Sequence, residues 1–267
     1  MKLASILLQY FLKRQKSKEK LWALHSVSLS LHLGKASNSN SMKRTIEYLA
    51  WDSDFFGYRI GRFLVGGEDD FNIEKLKEES RTEGYRLVYI FSKKALDINI
   101  PPIDIKVVYS REITAADSGY PLLPQATKAT DTLYSLAFRS GKYSRFRLDE
   151  GIGREAFERM YKRWMDNSLA GTSADKVLKY EIDGKEAGFI TISYGETTNI
   201  GLLAVDEKYG RRGIGSALME SAFREAFDHG ARNIAVPTQK HNVEACAFYE
   251  KKGFKVTDTT YIYHLWV

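Results

Sequence analysis

The chain has 267 residues, 43% of them hydrophobic and 28% charged, the composition of an ordinary globular protein with one large domain or two small ones. A single cysteine, Cys246, excludes an intrachain disulfide and a thiolate metal cluster and points to a reducing, cytoplasmic setting. The formal net charge of +6 lies wholly in residues 1–41, where seven Lys and Arg stand against one Glu. The remainder is formally neutral and lacks the electrostatic footprint of a nucleic-acid-binding protein.

Residues 1–41 differ from the rest of the chain. The apolar run from Ala4 to Leu12 is too short to span a bilayer, is interrupted by Gln9, and precedes its basic run, the reverse of a secretory signal. A Ser/Asn-rich stretch at 37–41 then reads as a linker. The expectation is a basic, disordered or weakly helical extension ahead of a natural start at Met42, with no transmembrane segment. The alternative is a basic amphipathic segment resting on an anionic membrane surface.

From Met42 strands and helices alternate. Strands are predicted at 43–48, 58–65, 86–91 and 105–111 and a helix at 71–82, together a small α/β domain over 42–124. Pro121 and Pro124 mark a linker, and a second domain is expected at 125–267. Its helices are predicted at 126–139 and 154–167, and Asp183-Gly184 joins strands 177–182 and 186–193 as a hairpin. A strand at 200–205 leads to a helix whose Ile214, Leu218 and Ala222 form one apolar line and Met219, Phe223 and Phe227 a second, ended by His229-Gly230. A strand at 233–236, a helix at 242–249 that should bury Cys246, and a strand at 260–267 apolar on both faces follow.

The densest signal is Ile200-Gly-Leu-Leu-Ala-Val205-Asp-Glu-Lys-Tyr-Gly210-Arg-Arg-Gly-Ile-Gly215-Ser. An apolar strand ends in a charged turn that passes two glycines and enters a helix, so backbone N–H groups converge beside a helix N-terminus, where a pyrophosphate fits. With the later Asn242-Val-Glu-Ala-Cys-Ala-Phe-Tyr249, in this order and with a strand between, the pattern resembles the Gcn5-related N-acetyltransferase (GNAT) superfamily.

The resemblance covers roughly residues 126–267. It implies an α/β fold of the α+β type, with a mixed central sheet flanked by helices, and acetyl-CoA as cosubstrate. It implies that main-chain groups of Leu203 and Val205 pair with pantetheine and the acetyl carbonyl, and that the turn of Arg211, Arg212, Gly213, Ile214, Gly215 and Ser216 holds the phosphates. Asn242 would hydrogen-bond the pantetheine, although its place before a helix also suits an N-cap. Tyr249 would be the acid that protonates the departing sulfur. One departure is that Gly210 stands where the superfamily usually has Arg or Gln, with the arginines displaced to 211 and 212, which re-aims side-chain contacts and leaves the main-chain cradle.

Three further segments are similar to the dTDP-fucosamine acetyltransferases, which N-acetylate a nucleotide-linked 4-amino-4,6-dideoxygalactose for surface polysaccharide. They are Trp51-Asp-Ser-Asp-Phe-Phe-Gly57, Gly141-Lys-Tyr-Ser-Arg145-Phe-Arg-Leu-Asp149 and Tyr161-Lys-Arg-Trp164-Met-Asp-Asn167, so this likeness covers about residues 46–267. It implies a small-molecule nucleotide-sugar substrate. Arg145 and Arg147 suit bidentate bonds to a diphosphate, and Trp164 or Tyr143 suits an apolar sugar face or a base. Trp51, Phe55 and Phe56 read first as core packing, and Trp164, on an amphipathic helix, suits the core as well.

The general base stays open among Glu196, His241, His264 and a water relay. The five histidines are scattered and none forms His-x-x-x-His, so no metal is expected. Open alternatives are an acetyltransferase for another small amine, a protein N-terminus or a lysine, and an inactive acyl-CoA-binding module. A dinucleotide-binding fold is disfavoured, because its glycine turn follows the first strand and this one lies late. A homodimer is compatible with the sequence.

Overall fold

The structure is a computed structural model and describes residues 45–66 and 71–267. The extension expected at 1–41, and the part of the first predicted strand before residue 45, lie outside the described residues.

The first part of the chain holds β1 (Glu47–Tyr48), α1 (Ala50–Phe56), β2 (Ile60–Leu64), α2 (Ile73–Thr82), β3 (Leu87–Ser92) and β4 (Asp104–Glu112). Helices α3 (Asp131–Ser140), α4 (Arg145–Leu148) and α5 (Arg154–Leu169) lead to the hairpin of β5 (Lys176–Ile182) and β6 (Lys185–Ser193). Then come β7 (Thr197–Val205), α6 (Ile214–Asp228), β8 (Asn233–Gln239), α7 (Val243–Lys251) and β9 (Lys255–Trp266).

These strands form one mixed nine-stranded sheet in the order β1-β2-β3-β9-β4-β8-β7-β6-β5. β9 lies between β3 and β4, antiparallel to both. Strands from 42–124 and from 125–267 therefore share one hydrogen-bonded sheet, and the apolar character of β9 on both faces follows from its central place.

Alternation along β3 separates two layers. Leu87, Tyr89 and Phe91 pack with Phe146, Phe157, Met160 and Tyr161 of α4 and α5, whereas Val88 and Ile90 pack with Leu76 of α2. On the face of α2 the sheet also carries α6, whose Leu218, Met219, Ala222, Phe223 and Ala226 are buried. Burying a Leu- or Phe-sized side chain stabilises by about 1.5–3 kcal/mol, so this stripe anchors the helix. Phe227, expected in the stripe, is instead exposed in the last turn of α6.

Local differences from the predicted elements have identifiable causes. The helix expected at 126–139 starts only at Asp131, because the N–H of Ala126 bonds to the Val177 carbonyl and the N–H of Lys179 to the Pro124 carbonyl, which ties this stretch to β5. Thr130 then caps α3 by accepting from the Leu133 N–H at 3.1 Å. α1 forms where no element was predicted. It is pinned by Ser53, whose hydroxyl donates to the Leu49 carbonyl at 2.7 Å and accepts from the Ile60 N–H at 2.9 Å, and Gly57 ends it at φ 77°.

The ladder is interrupted between two strands. β7 and β8 pair in parallel only at residues 197–199 against 233–235. Beyond these rows β7 stays with β6, and β8 stays with β4 as far as Gln239 opposite Lys106. The two strands part as a wedge.

Candidate active site

The wedge opens into a cavity of about 920 Å³. Leu202, Leu203, Ala204 and Val205 of β7 form one wall, and Val236, Pro237, Thr238 and Gln239 of β8 the opposite one. Past the rows shared with β8, this edge of β7 faces the cavity and offers backbone groups to an extended ligand. α7 contributes Asn242, Ala245, Phe248 and Tyr249.

At the mouth lies the turn ahead of α6. Gly213 sits at the helix N-cap with φ 79° and no capping side chain, and the first intrahelical bond runs from the Ala217 N–H to the Gly213 carbonyl at 3.0 Å. The preceding first-turn N–H groups have no acceptor within the helix. Arg211, at φ 62°, is held in the left-handed region, a conformation that costs a non-glycine residue free energy and clusters at ligand sites. It lines the cavity together with Gly210 and Gly215.

The structure brings together Leu203, Val205, Arg211, Gly215, Asn242, Tyr249, Arg145 and Trp164 on one cavity surface. Asn242 does cap α7, accepting from the Ala245 N–H at 3.3 Å. Ile214 packs into the core, so only its main chain serves the turn. Gly213, Arg212 and Ser216 belong to the turn and first helical residues but not to the cavity wall, and the Arg212 guanidinium lies 5.7 Å from the Tyr209 ring. Arg147 departs from expectation: it is exposed and stands off the wall, because α4 turns it outward while burying Phe146. Cys246 is half-buried, with its thiol near the Gln239 and Lys240 carbonyls.

Tyr249 is 5% exposed and packs against Tyr109, Phe248 and Phe254. Burial, then the neighbouring Cys246, push its phenol above the ordinary range, so it holds its proton through neutral pH. Of the candidate bases, Glu196 is exposed and pairs with Arg232 at 3.4 Å, and exposed His241 sits edge-on to Tyr143. Neither lines the cavity. His264 lies behind the wall, buried, with its Nδ1 on the Asp149 carboxylate and its Nε2 3.4 Å from Arg145.

On the side of α4 and α5 the cavity is aromatic and charged. The Arg145 guanidinium lies 4.1 Å from the Tyr89 ring centroid and 4.4 Å from that of Phe146, and Trp164 packs on Tyr161 at 4.7 Å. Three buried charged residues on this wall were not singled out from sequence: Asp52, Asp104 and Lys106. Burial pushes the Asp104 carboxyl up to about 7 against the opposing pull of Arg145 and Lys106, and burial brings Lys106 down to about 8. Isolated acids at a helix turn and a strand start carry no spacing signal, so only the fold brings them together.

Residues 135–254 match the model of the acetyltransferase (GNAT) family, and the sheet with its wedge and glycine turn accords with that match. The fold is that of the GNAT class, a mixed β-sheet flanked by helices. Among relatives it is similar to the spore coat polysaccharide biosynthesis protein SpsD of Bacillus subtilis, 26% identical over 148 residues that cover 55% of this chain and 51% of that protein. It is also similar to the [ribosomal protein bS18]-alanine N-acetyltransferase of Escherichia coli, 30% identical over 94 residues that cover 34% of this chain and 64% of that one. The matched stretches thus span about half to two thirds of these relatives' lengths.

Two solved structures share the fold. A functionally unknown conserved protein from Staphylococcus epidermidis superposes with a TM-score of 0.55 at 11% identity, covering 86% of this chain and 94% of that one. A GCN5-related N-acetyltransferase from Sphaerobacter thermophilus gives 0.50 at 13% identity, covering 83% and 76%. Among the described residues no helix is long and apolar enough to cross a membrane.

Proposed function

We propose that this protein is an acetyl-CoA-dependent N-acetyltransferase whose acceptor is the amine of a dTDP-linked 4-amino-4,6-dideoxy sugar used in surface polysaccharide. The observation that carries the reading is that one cavity joins the wedge between β7 and β8, the glycine turn before α6 and the Tyr249 ring to an aromatic, charged far side.

In this reading the pantetheine lies along β7, pairing with main-chain groups of Leu203 and Val205, while Asn242 holds it from α7. The diphosphate rests on the turn from Arg211 to Ser216, where N–H groups and the helix dipole favour negative charge. Acetyl-CoA supplies the acyl group. The acceptor amine attacks the thioester carbonyl, and the Tyr249 hydroxyl gives its proton to sulfur as the C–S bond breaks. Arg145 faces the sugar nucleotide's diphosphate and Trp164 its apolar face. Arg147 takes no part. The name of the Bacillus relative supports a polysaccharide precursor as acceptor, and that of the Escherichia relative makes a peptide amine the competing substrate.

The test mixes purified protein and acetyl-CoA with nucleotide-linked amino sugars, simple primary amines and an alanine-terminated peptide, and follows thiol release. Turnover selective for a dTDP-linked 4-amino sugar is expected. Turnover confined to the peptide would replace the sugar acceptor, and failure to bind acetyl-CoA would overturn the reading as a whole.

A further inference from the structure

The wall opposite α7 holds a buried acid with one oxygen left over. Side chains alternate along β4: Val107 packs into the cluster beneath α6 and α7, so Asp104 and Lys106 take the other face, toward α4 and α5. In the ladder Asp104 stands opposite Ile262, which stands opposite Phe91, so the three form one row across β4, β9 and β3. All three line the cavity.

Asp104 is 5% exposed, and its Oδ1 makes no hydrogen bond. A buried carboxylate oxygen without a donor costs free energy unless a function uses it. The groups facing it are Lys106 on β4, Arg145 on α4 and Tyr161 on α5. Lys106 in turn faces Asp258 and Lys93, and Arg145 is held by His264.

We propose that Asp104 receives the ammonium group of the acceptor at Oδ1 and takes its proton, an assignment that rests on the acetyl-transfer reading above. The surroundings favour this direction of transfer. Arg145 and Lys106 disfavour a third positive charge, which lowers the basicity of a bound amine, while burial raises the basicity of the carboxylate. With Asp104 pushed up to about 7, the carboxylate is poised near neutral pH, where general-base catalysis is most effective.

The step balances. The ammonium and the Asp104 carboxylate become a neutral amine and a carboxylic acid. The amine lone pair forms the C–N bond at the thioester carbonyl, the C–S bond breaks, and the electron pair leaves on sulfur with the Tyr249 proton. The surplus N–H proton of the new amide returns to the Tyr249 oxygen, and Asp104 releases its proton to solvent. One acetyl group moves and one proton is released.

The experiment measures kcat/KM from pH 5 to 9, with acetyl-CoA and whichever amine of the panel turns over, for the wild type, Asp104→Asn and Lys106→Gln. Asp104→Asn is expected to lower kcat/KM at pH 7 by roughly 10²–10⁴-fold. The acid limb should vanish while acetyl-CoA affinity stays within about two-fold. Lys106→Gln should shift that limb to higher pH, because a cation favouring the ionised carboxylate is lost. Retention of the acid limb, or of kcat/KM within about three-fold, in Asp104→Asn overturns the proposal.

Should no amine turn over, the acceptor reading fails separately, and Asp104 is read directly. The carboxyl carbon signal that Asp104→Asn removes is titrated by NMR with and without ethylammonium chloride, in the acetyl-CoA complex. A downward shift of its midpoint by about half a pH unit or more supports the amine site, and an unchanged midpoint overturns it.

Discussion

The Nη1 of Arg145 lies 3.4 Å from the Nε2 of His264, and the opposite nitrogen of that ring, Nδ1, meets the Asp149 carboxylate. Burial brings His264 down to about 4, so at neutral pH the ring is neutral; Nδ1 then donates to Asp149, and Nε2 accepts from the guanidinium. Trp266 donates to the same carboxylate at 3.1 Å. A residue at the last strand thereby sets the direction of Arg145 across the cavity.

This relay has a pH signature. The folded ring titrates near 4 and the unfolded one near 6.5, so the stability gained by holding it neutral is fully present above pH 6.5 and lost as pH falls toward 4. Every tenfold change in proton affinity corresponds to about 1.4 kcal/mol, so the loss is on the order of 3 kcal/mol. His264→Gln should flatten urea midpoints between pH 4 and 6.5 and raise KM for the acceptor more than it lowers kcat. Equal slopes for the variant and the wild type would show that another group governs acid sensitivity.

Gly215 separates fold from coenzyme binding. A Cβ there would meet nothing closer than 3.7 Å, from Phe248 and Val205, so the protein tolerates it. Gly215→Ala should raise helix stability by about 0.5–1 kcal/mol. With the phosphates on this turn, as proposed, the same methyl group would take space they need against the backbone, and acetyl-CoA affinity should fall about tenfold, or 1.4 kcal/mol. Calorimetry that finds unchanged affinity would move the phosphates off this turn.

Tyr249→Phe is expected to lower kcat by roughly 10²–10⁴-fold while coenzyme binding changes little, because the hydroxyl matters only when charge develops on sulfur. The ring would still pack on Tyr109 and Phe254. Wild-type kcat with chemistry shown to be rate-limiting would return Tyr249 to a purely structural role.

Asp104 should also be visible in stability. Its folded pKa of about 7 exceeds the ordinary 3.8, so the folded state binds the extra proton between these values and loses stability as pH rises from about 4 to 7. Asp104→Asn removes that cost. Its melting temperature relative to the wild type should be higher at pH 8 and nearly equal at pH 4. A variant less stable than the wild type at pH 8 would mean that the ionised carboxylate supports the fold.

The sequence by itself determined the local pieces. Asp183 and Gly184 turn the β5–β6 hairpin at φ 51° and 72°, Gly213 opens α6, Asn242 caps α7, and the apolar spacing of Leu218, Met219 and Phe223 buries one helix face. These features depend on dihedral preferences and on periods of two or 3.6 residues, which neighbouring residues carry. The glycine turn was legible for the same reason, whereas the Asn242 to Tyr249 segment was read from its resemblance to the acetyltransferase superfamily.

Only the tertiary structure decided that β9 enters between β3 and β4, that β7 and β8 part after three rows, and that Arg147 faces outward while Arg145 faces in. It also placed Asp104 beside Arg145 and Tyr161, residues some forty to sixty positions away. Strand order and burial of charge depend on which surfaces meet across the sheet, and desolvation acts on an acid only after distant elements have closed over it, so no local pattern records it.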